Sequence, residues 1–197
     1  MKRMIALLLA LLLCGAALAE GEAFSLREGV AWGMTPDEVL AIEKPVKYEV
    51  ESRAAGAQVL EIEDLRLAGA EYDLDYWFVN GALVAMEYEF EAEDIAPNVI
   101  SDALDANFGG REAGNSGRFA ELMSTLTGRD FALTADLRAE DFFFDWTGED
   151  GSYIALTNLL SDDRDDISVF HFDASTLLDP AEAALSEPAP ALDPDAP

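Results

Sequence analysis

The sequence predicts an α+β protein in which helices pack on an antiparallel sheet. Three observations carry this: a capped helix start at Thr35 to Glu38, a period-two hairpin around Asn80-Gly81, and helical spacing after Pro97 followed by further strands. Hydrophobic residues make up 50% of the chain and charged residues 26%, so there is material for a core despite a net charge of −28.

Taken in order, residues 1–19 read as a removed signal peptide. Lys2 and Arg3 form a positive start, Met4 to Leu13 an apolar run, and Ala17-Leu18-Ala19 a small-residue cleavage site. The run is shorter than the roughly 20 residues that span a bilayer, and no second one follows. The protein is therefore expected to be exported, secreted or periplasmic, soluble and without a transmembrane span. Lipidation at Cys14 is disfavoured, because Leu11-Leu12-Leu13 lacks the small residue expected before such a cysteine. Losing the signal removes the only cysteine, and with it any disulfide, thiol nucleophile or thiolate ligand in the mature chain.

Thr35 caps a helix, Pro36 suits its first position and Glu38 closes a capping box, so a helix is expected from Pro36 to about Glu43. Lys44-Pro45 stops it. In the hairpin that follows, Tyr72, Leu74, Tyr76 and Phe78 alternate with acids, as do Val84, Met86, Tyr88 and Phe90. A two-residue Asn80-Gly81 turn with regular pairing puts Leu74 opposite Glu87 and Asp75 opposite Met86, which mixes acids with apolar residues on both faces. A three-residue loop, Val79 to Gly81, instead pairs Tyr76 with Val84 and Leu74 with Met86, and sets Asp73 against Glu87 and Glu71 against Glu89. That register is the expected one.

The acidic outer face of this hairpin supplies the candidate binding residues, Asp73, Asp75, Glu87 and Glu89, together with Trp77, which is either covered or an exposed anchor. A solvated strand face is the competing reading. Asp162-Asp163-Arg164-Asp165-Asp166 lacks the glycine and terminal glutamate of a calcium loop and reads as a solvated turn.

A second helix is expected over Pro97 to Phe108, ended by Gly109, and a third over Phe119 to Leu126, capped near Ser116 and closed by Gly128. A second hairpin has arms Asp141 to Thr147 and Ser152 to Leu159, with Phe142, Phe144 and Trp146 on one face, and Ile167 to Phe172 makes a last strand. Helix, strands and hairpin thus occur twice, in α+β halves at 20–92 and 93–175, an arrangement open to tandem duplication of a helix plus β-hairpin unit. Residues 176–197, rich in proline, alanine and acids, are expected to be a disordered tail.

Gly33-Met34-Thr35, followed by Val39, Ile42 and Pro45, resembles the G-M-T-x-x-x-V opening of the small outer-membrane lipoprotein of the β-barrel assembly machinery and of the β-lactamase inhibitor protein superfamily. Trp32-Gly33-Met34-Thr35 with a Tyr-rich hairpin is also similar to exported bacterial proteins without assigned activity. The resemblance implies a helical pair on an antiparallel sheet, tandem copies as in the inhibitor, and a protein-binding habit. Where family members have Gly-x-Pro after the helix, Glu43-Lys44-Pro45 stands here.

For function, the charge disfavours nucleic acid and anionic membranes. One histidine, His171, does not make a multi-histidine metal site, and neither a G-x-S-x-G turn nor a phosphate or dinucleotide loop is present. No catalytic residue, metal or cofactor is assigned. The expectation is an exported, acidic, non-catalytic binding module whose partner is another protein. Two alternatives stay open: a carboxylate-dependent hydrolase of cell-wall or glycan substrates, and an acidic cation-binding surface protein.

Overall fold

The computed structural model describes residues 24–53, 56–67, 69–111, 116–133, 141–148, 151–160 and 165–178. The expected signal peptide with Cys14, most of the acidic tail and most of the Asp162 to Asp166 run lie outside these residues. Seven strands form one antiparallel sheet: β1 (Tyr48–Ser52), β2 (Ala57–Leu67), β3 (Ala70–Val79), β4 (Ala82–Glu91), β5 (Phe143–Thr147), β6 (Tyr153–Thr157) and β7 (Asp166–Phe172). Their spatial order is β1-β2-β3-β4-β7-β6-β5. The two expected halves therefore meet at the β4–β7 pairing inside one continuous sheet.

Four helices occur among the described residues: α1 (Pro36–Glu43), α2 (Pro97–Phe108), α3 (Ser116–Thr127) and the short α4 (Ala174–Leu178). At the start of α1, the Thr35 hydroxyl accepts from the Glu38 N–H, and the Glu38 carboxylate accepts from the Thr35 N–H at 2.9 Å. That reciprocal bond holds the Glu38 carboxyl below its usual range. Lys44, left-handed at φ 46°, closes the helix before Pro45.

The sheet is apolar on much of both faces. Val39 of α1 and Ile100, Ala103 and Leu104 of α2 cover Leu60, Leu74, Tyr76, Met86, Tyr88, Ile154, Leu156 and Val169 on one face. The expected grouping of Phe142, Phe144 and Trp146 falls on this face, where the Trp146 indole N–H donates to Asp105 at 2.9 Å. On the other face α3 and α4 cover Val59, Trp77, Val84, Ala85, Tyr153, Ala155, Phe170 and Phe172. On α3 the buried side chains, Phe119, Leu122, Met123 and Leu126, recur at three- and four-residue spacing.

The hairpin register corrects the expected one. Asn80 (φ 53°) and Gly81 (φ 79°) form the two-residue turn, and Val79 pairs with Ala82 and Phe78 with Leu83. Val84 is then a bulge, so that Trp77 pairs with Ala85, Tyr76 with Met86, Asp75 with Glu87 and Asp73 with Glu89. The bulge absorbs the one-residue slip that made regular two-residue pairing untenable. Its displaced backbone groups find partners elsewhere. Leu83 accepts from Gly33 N–H at 2.9 Å and donates to Met34 C=O at 2.8 Å, while Val84 C=O accepts from Asp173 N–H at 2.8 Å. The Gly33-Met34-Thr35 segment thus both starts α1 and fastens it to the sheet.

Two further corrections concern boundaries. Thr176 to Leu178 belong to α4, because Asp173 accepts from the Thr176 N–H and hydroxyl and Leu177 is buried, so the expected tail starts too early at 176. Strands β1 and β2, and α4 itself, have no counterpart among the expected elements.

Candidate functional site

The helix-covered end of the second face gives way to a carboxylate row fixed by strand register. Glu49 of β1 lies opposite Glu61 of β2, Glu61 opposite Asp75 of β3, and Asp75 opposite Glu87 of β4. Directly opposed side chains in an antiparallel sheet sit about 5 Å apart, so four acids line up across four strands. Beyond Glu87 the same row turns apolar, at Phe170 and Ala155.

Burial rises along this row. Glu49 is exposed, Glu61 and Asp75 are half-buried and Glu87 is 7% exposed. Unit charges about 5 Å apart repel by roughly 3 kcal/mol at an effective dielectric of about 20, a repulsion that favours the protonated form of the carboxyls. Burial first, then Asp75 and Glu89, raise the Glu87 carboxyl well above its usual range. Burial first, then Glu61 and Glu89, push Asp75 up to about 7, with Arg53 opposing. Glu61 is raised by burial and then by Asp73 and its neighbours. In place of the solvated strand face of the competing reading, the row is graded from solvent to interior.

The candidate residues take different positions in it. Asp75 and Glu87 are the opposed pair at the covered end. Asp73 faces Glu89 and accepts from the Asp64 backbone N–H at 3.0 Å, where β2 is bulged and Asp64 has φ 59°, so its carboxylate holds a bulge in place. Glu89 is exposed, and desolvation followed by Asp166 and Asp73 raises its carboxyl. Trp77 is 9% exposed under the α3 and α4 layer, and its indole N–H lies against the Glu87 carboxylate without meeting hydrogen-bond geometry. It is covered, so it is not an exposed anchor.

Two cavities flank the row. One of about 340 Å³ borders Trp77, with Arg53, Arg129 and Phe131 on its walls. The other, about 220 Å³, is lined by seven carboxylates running from Asp64 and Glu71 to Glu91 and Asp166. Neither is lined by Asp75 or Glu87, so neither gives the opposed pair the open cleft that glycoside hydrolysis requires. Among the described residues no three His, Asp or Glu side chains converge as metal ligands. His171 is buried between the rings of Trp32 (5.2 Å) and Phe108 (5.7 Å).

The opposite face carries a second ionic cluster. Glu43 accepts from Tyr76 OH at 2.5 Å and pairs with the Arg27 guanidinium at 3.0 Å, and Arg27 also donates to Tyr72 at 3.2 Å. This ties the end of α1 and the segment before it to β3.

The surface feature missing from the expected site is at the β1 edge. The exposed large apolar side chains among the described residues are Ile42, Val46, Tyr48 and Val50, and two of them, Tyr48 and Val50, stand at alternate positions of β1 on one face of the sheet. The alternation Tyr48-Glu49-Val50-Glu51 is its signal in the sequence. No helix among the described residues is long and apolar enough to cross a membrane. In comparisons with protein families, curated proteins and solved structures, the chain matches none.

Proposed function

We propose that the protein is an exported, non-catalytic interaction module that binds another protein at the β1 edge of its sheet. One observation carries this reading: β1, the strand at the end of the sheet, leaves Tyr48 and Val50 half exposed side by side on the apolar face. Scattered apolar residues need no explanation, whereas an end strand that leaves both its backbone edge and its apolar face uncovered is a template for another chain. Lys47 and Arg53 flank the strand, and Glu49 and Glu51 stand on its other face.

Two weaker supports agree. The Gly33-Met34-Thr35 opening resembles families with a protein-binding habit, and this segment is built into the sheet through Leu83. The strand order is symmetrical about the β4–β7 pairing, β2-β3-β4 facing β7-β6-β5, which supports an origin by tandem duplication of a helix and its strands, with β1 as an addition to one copy. On that reading the added strand is where the module acquired its binding edge. The acidic face supplies a long-range field that draws a basic partner, and its effect fades with salt.

The test is capture from the exported protein fraction of the native host by the immobilised protein at low ionic strength. Wild type should retain a partner, and Tyr48→Ser with Val50→Ser should lower retention at least about tenfold while leaving the melting temperature within a few degrees, since both side chains are half exposed. Retention of nothing by the wild type, or equal retention by the variant, overturns the reading.

A further inference from the structure

We propose that the outer edge of β1 takes an extended segment of the partner protein as an added strand, and that this segment alternates basic with apolar residues. The inference rests on the interaction-module reading above and specifies its partner.

The backbone geometry comes first. Arg53 N–H donates to Ala57 C=O at 2.8 Å, one step beyond the Ser52–Gln58 pair, and so continues the β1–β2 register. Hydrogen-bonded and non-hydrogen-bonded pairs alternate along an antiparallel ladder. Glu51 and Glu49 therefore bond to β2, and the N–H and C=O groups of Tyr48, Val50 and Ser52 point away from the sheet. Among the described residues no backbone group bonds to them from that side. Three residues at alternate positions thus offer donors and acceptors in the pattern that strand addition uses.

Side chains then select the sequence of the added strand. Tyr48 and Val50 lie opposite Ile62 and Leu60, on the apolar face, and are 48% and 50% exposed. Apolar residues of an incoming strand would cover them and extend the core by one strand. Glu49 and Glu51 lie on the acidic face, where Glu49 is the outermost member of the carboxylate row and Glu51 pairs with Arg53 at 2.5 Å. An acidic neighbour would lengthen a row in which like charges already face one another across four strands, whereas a lysine or arginine would end it on an opposite charge.

Other occupants fit less well. Full-length antiparallel pairing of β1 with a second copy, centred on Val50, sets Glu49 against Glu51 on both sides of the centre. The chain's own residues 179–197 contain five acids and neither lysine nor arginine.

Fluorescence anisotropy at low ionic strength, with short labelled peptides and the full protein, tests this. A peptide alternating Val and Lys should bind, and one alternating Val and Glu should not. Methylating the peptide backbone nitrogens that face β1 keeps every side chain and should weaken binding at least about tenfold. Val50→Pro removes an outward N–H without removing a ladder bond to β2, a position where an edge strand accepts proline, so it should preserve the fold and weaken binding by a similar factor. Equal binding of the methylated and unmethylated peptides overturns strand addition while leaving partner capture intact. Failure of the Val/Lys peptide to bind overturns the proposal too, and if native capture persists the module reading stands without it. Concentration-dependent self-association abolished by Val50→Pro would give the edge to a second copy, also against the proposal. Should Val50→Pro not fold, the backbone-methylated peptide decides.

Discussion

Raising the pH from 5 to 8 should destabilise the protein by about 2–3 kcal/mol through Asp75 alone. In the unfolded chain its carboxyl titrates near 4, whereas opposite Glu87 and Glu61, and half-buried, it titrates at about 7. Between these values the folded state binds the extra proton, so stability falls as pH rises. The stabilising contribution is full below about pH 4 and gone above about pH 7, where the ionised carboxylate joins the row. Glu87, held well above its usual range by burial, acts in the same direction. Chemical denaturation across this range should show the decline, with a loss of roughly 5–10 °C in melting temperature. Asp75→Asn should match wild type near pH 4 and exceed its stability at pH 8. The general repulsion of a chain at −28 slopes the same way, so the comparison of slopes is decisive. A variant that declines as steeply as wild type would contradict the role given to Asp75.

Phe119→Ala should cost about 3–5 kcal/mol, the usual range for emptying a large aromatic site in a core. Phe119 is fully buried, and its ring meets those of Phe131, Phe143, Phe170 and Phe172 at centroid distances of 5.8, 5.4, 5.5 and 6.0 Å. It is the knob by which α3 holds the sheet beside Trp77. Loosening α3 should expose that indole and shift tryptophan emission to the red, alongside a fall of roughly 10 °C in melting temperature. A loss below about 1 kcal/mol with unchanged emission would mean that the α3 layer is not held in this way.

The parts of this fold that were legible in the sequence are those with short-range causes. The α1 start follows from Thr35, Pro36 and Glu38, α2 from its spacing between Pro97 and Gly109, and the common face of Phe142, Phe144 and Trp146 on the first arm of the second hairpin from alternation. The bulge at Val84 was not legible, because its benefit is settled by groups far along the chain, Gly33, Met34 and Asp173. β2 escaped notice for a related reason. Val59 and Leu60 are both buried, one on each face, and the irregularity between Ile62 and Leu65 breaks the alternation. Without β1 and β2 the row Glu49–Glu61–Asp75–Glu87 could not be assembled, although two of its members were singled out. The acids were visible from composition; the upward shift of their carboxyls depends on burial and on register across four strands. Trp77 illustrates the same limit, since its neighbours on α3 lie more than forty residues further on.

Amide hydrogen exchange of β1 tests most directly whether the sheet ends in an open edge. In the free protein the amides of Tyr48, Val50 and Ser52 should exchange rapidly, while those of Glu49 and Glu51, bonded to β2, should be slowed. Saturation with the Val/Lys peptide should then protect the first set. Slow exchange at Tyr48, Val50 and Ser52 in the free protein would mean that the edge is already covered, and the binding account would fall with it.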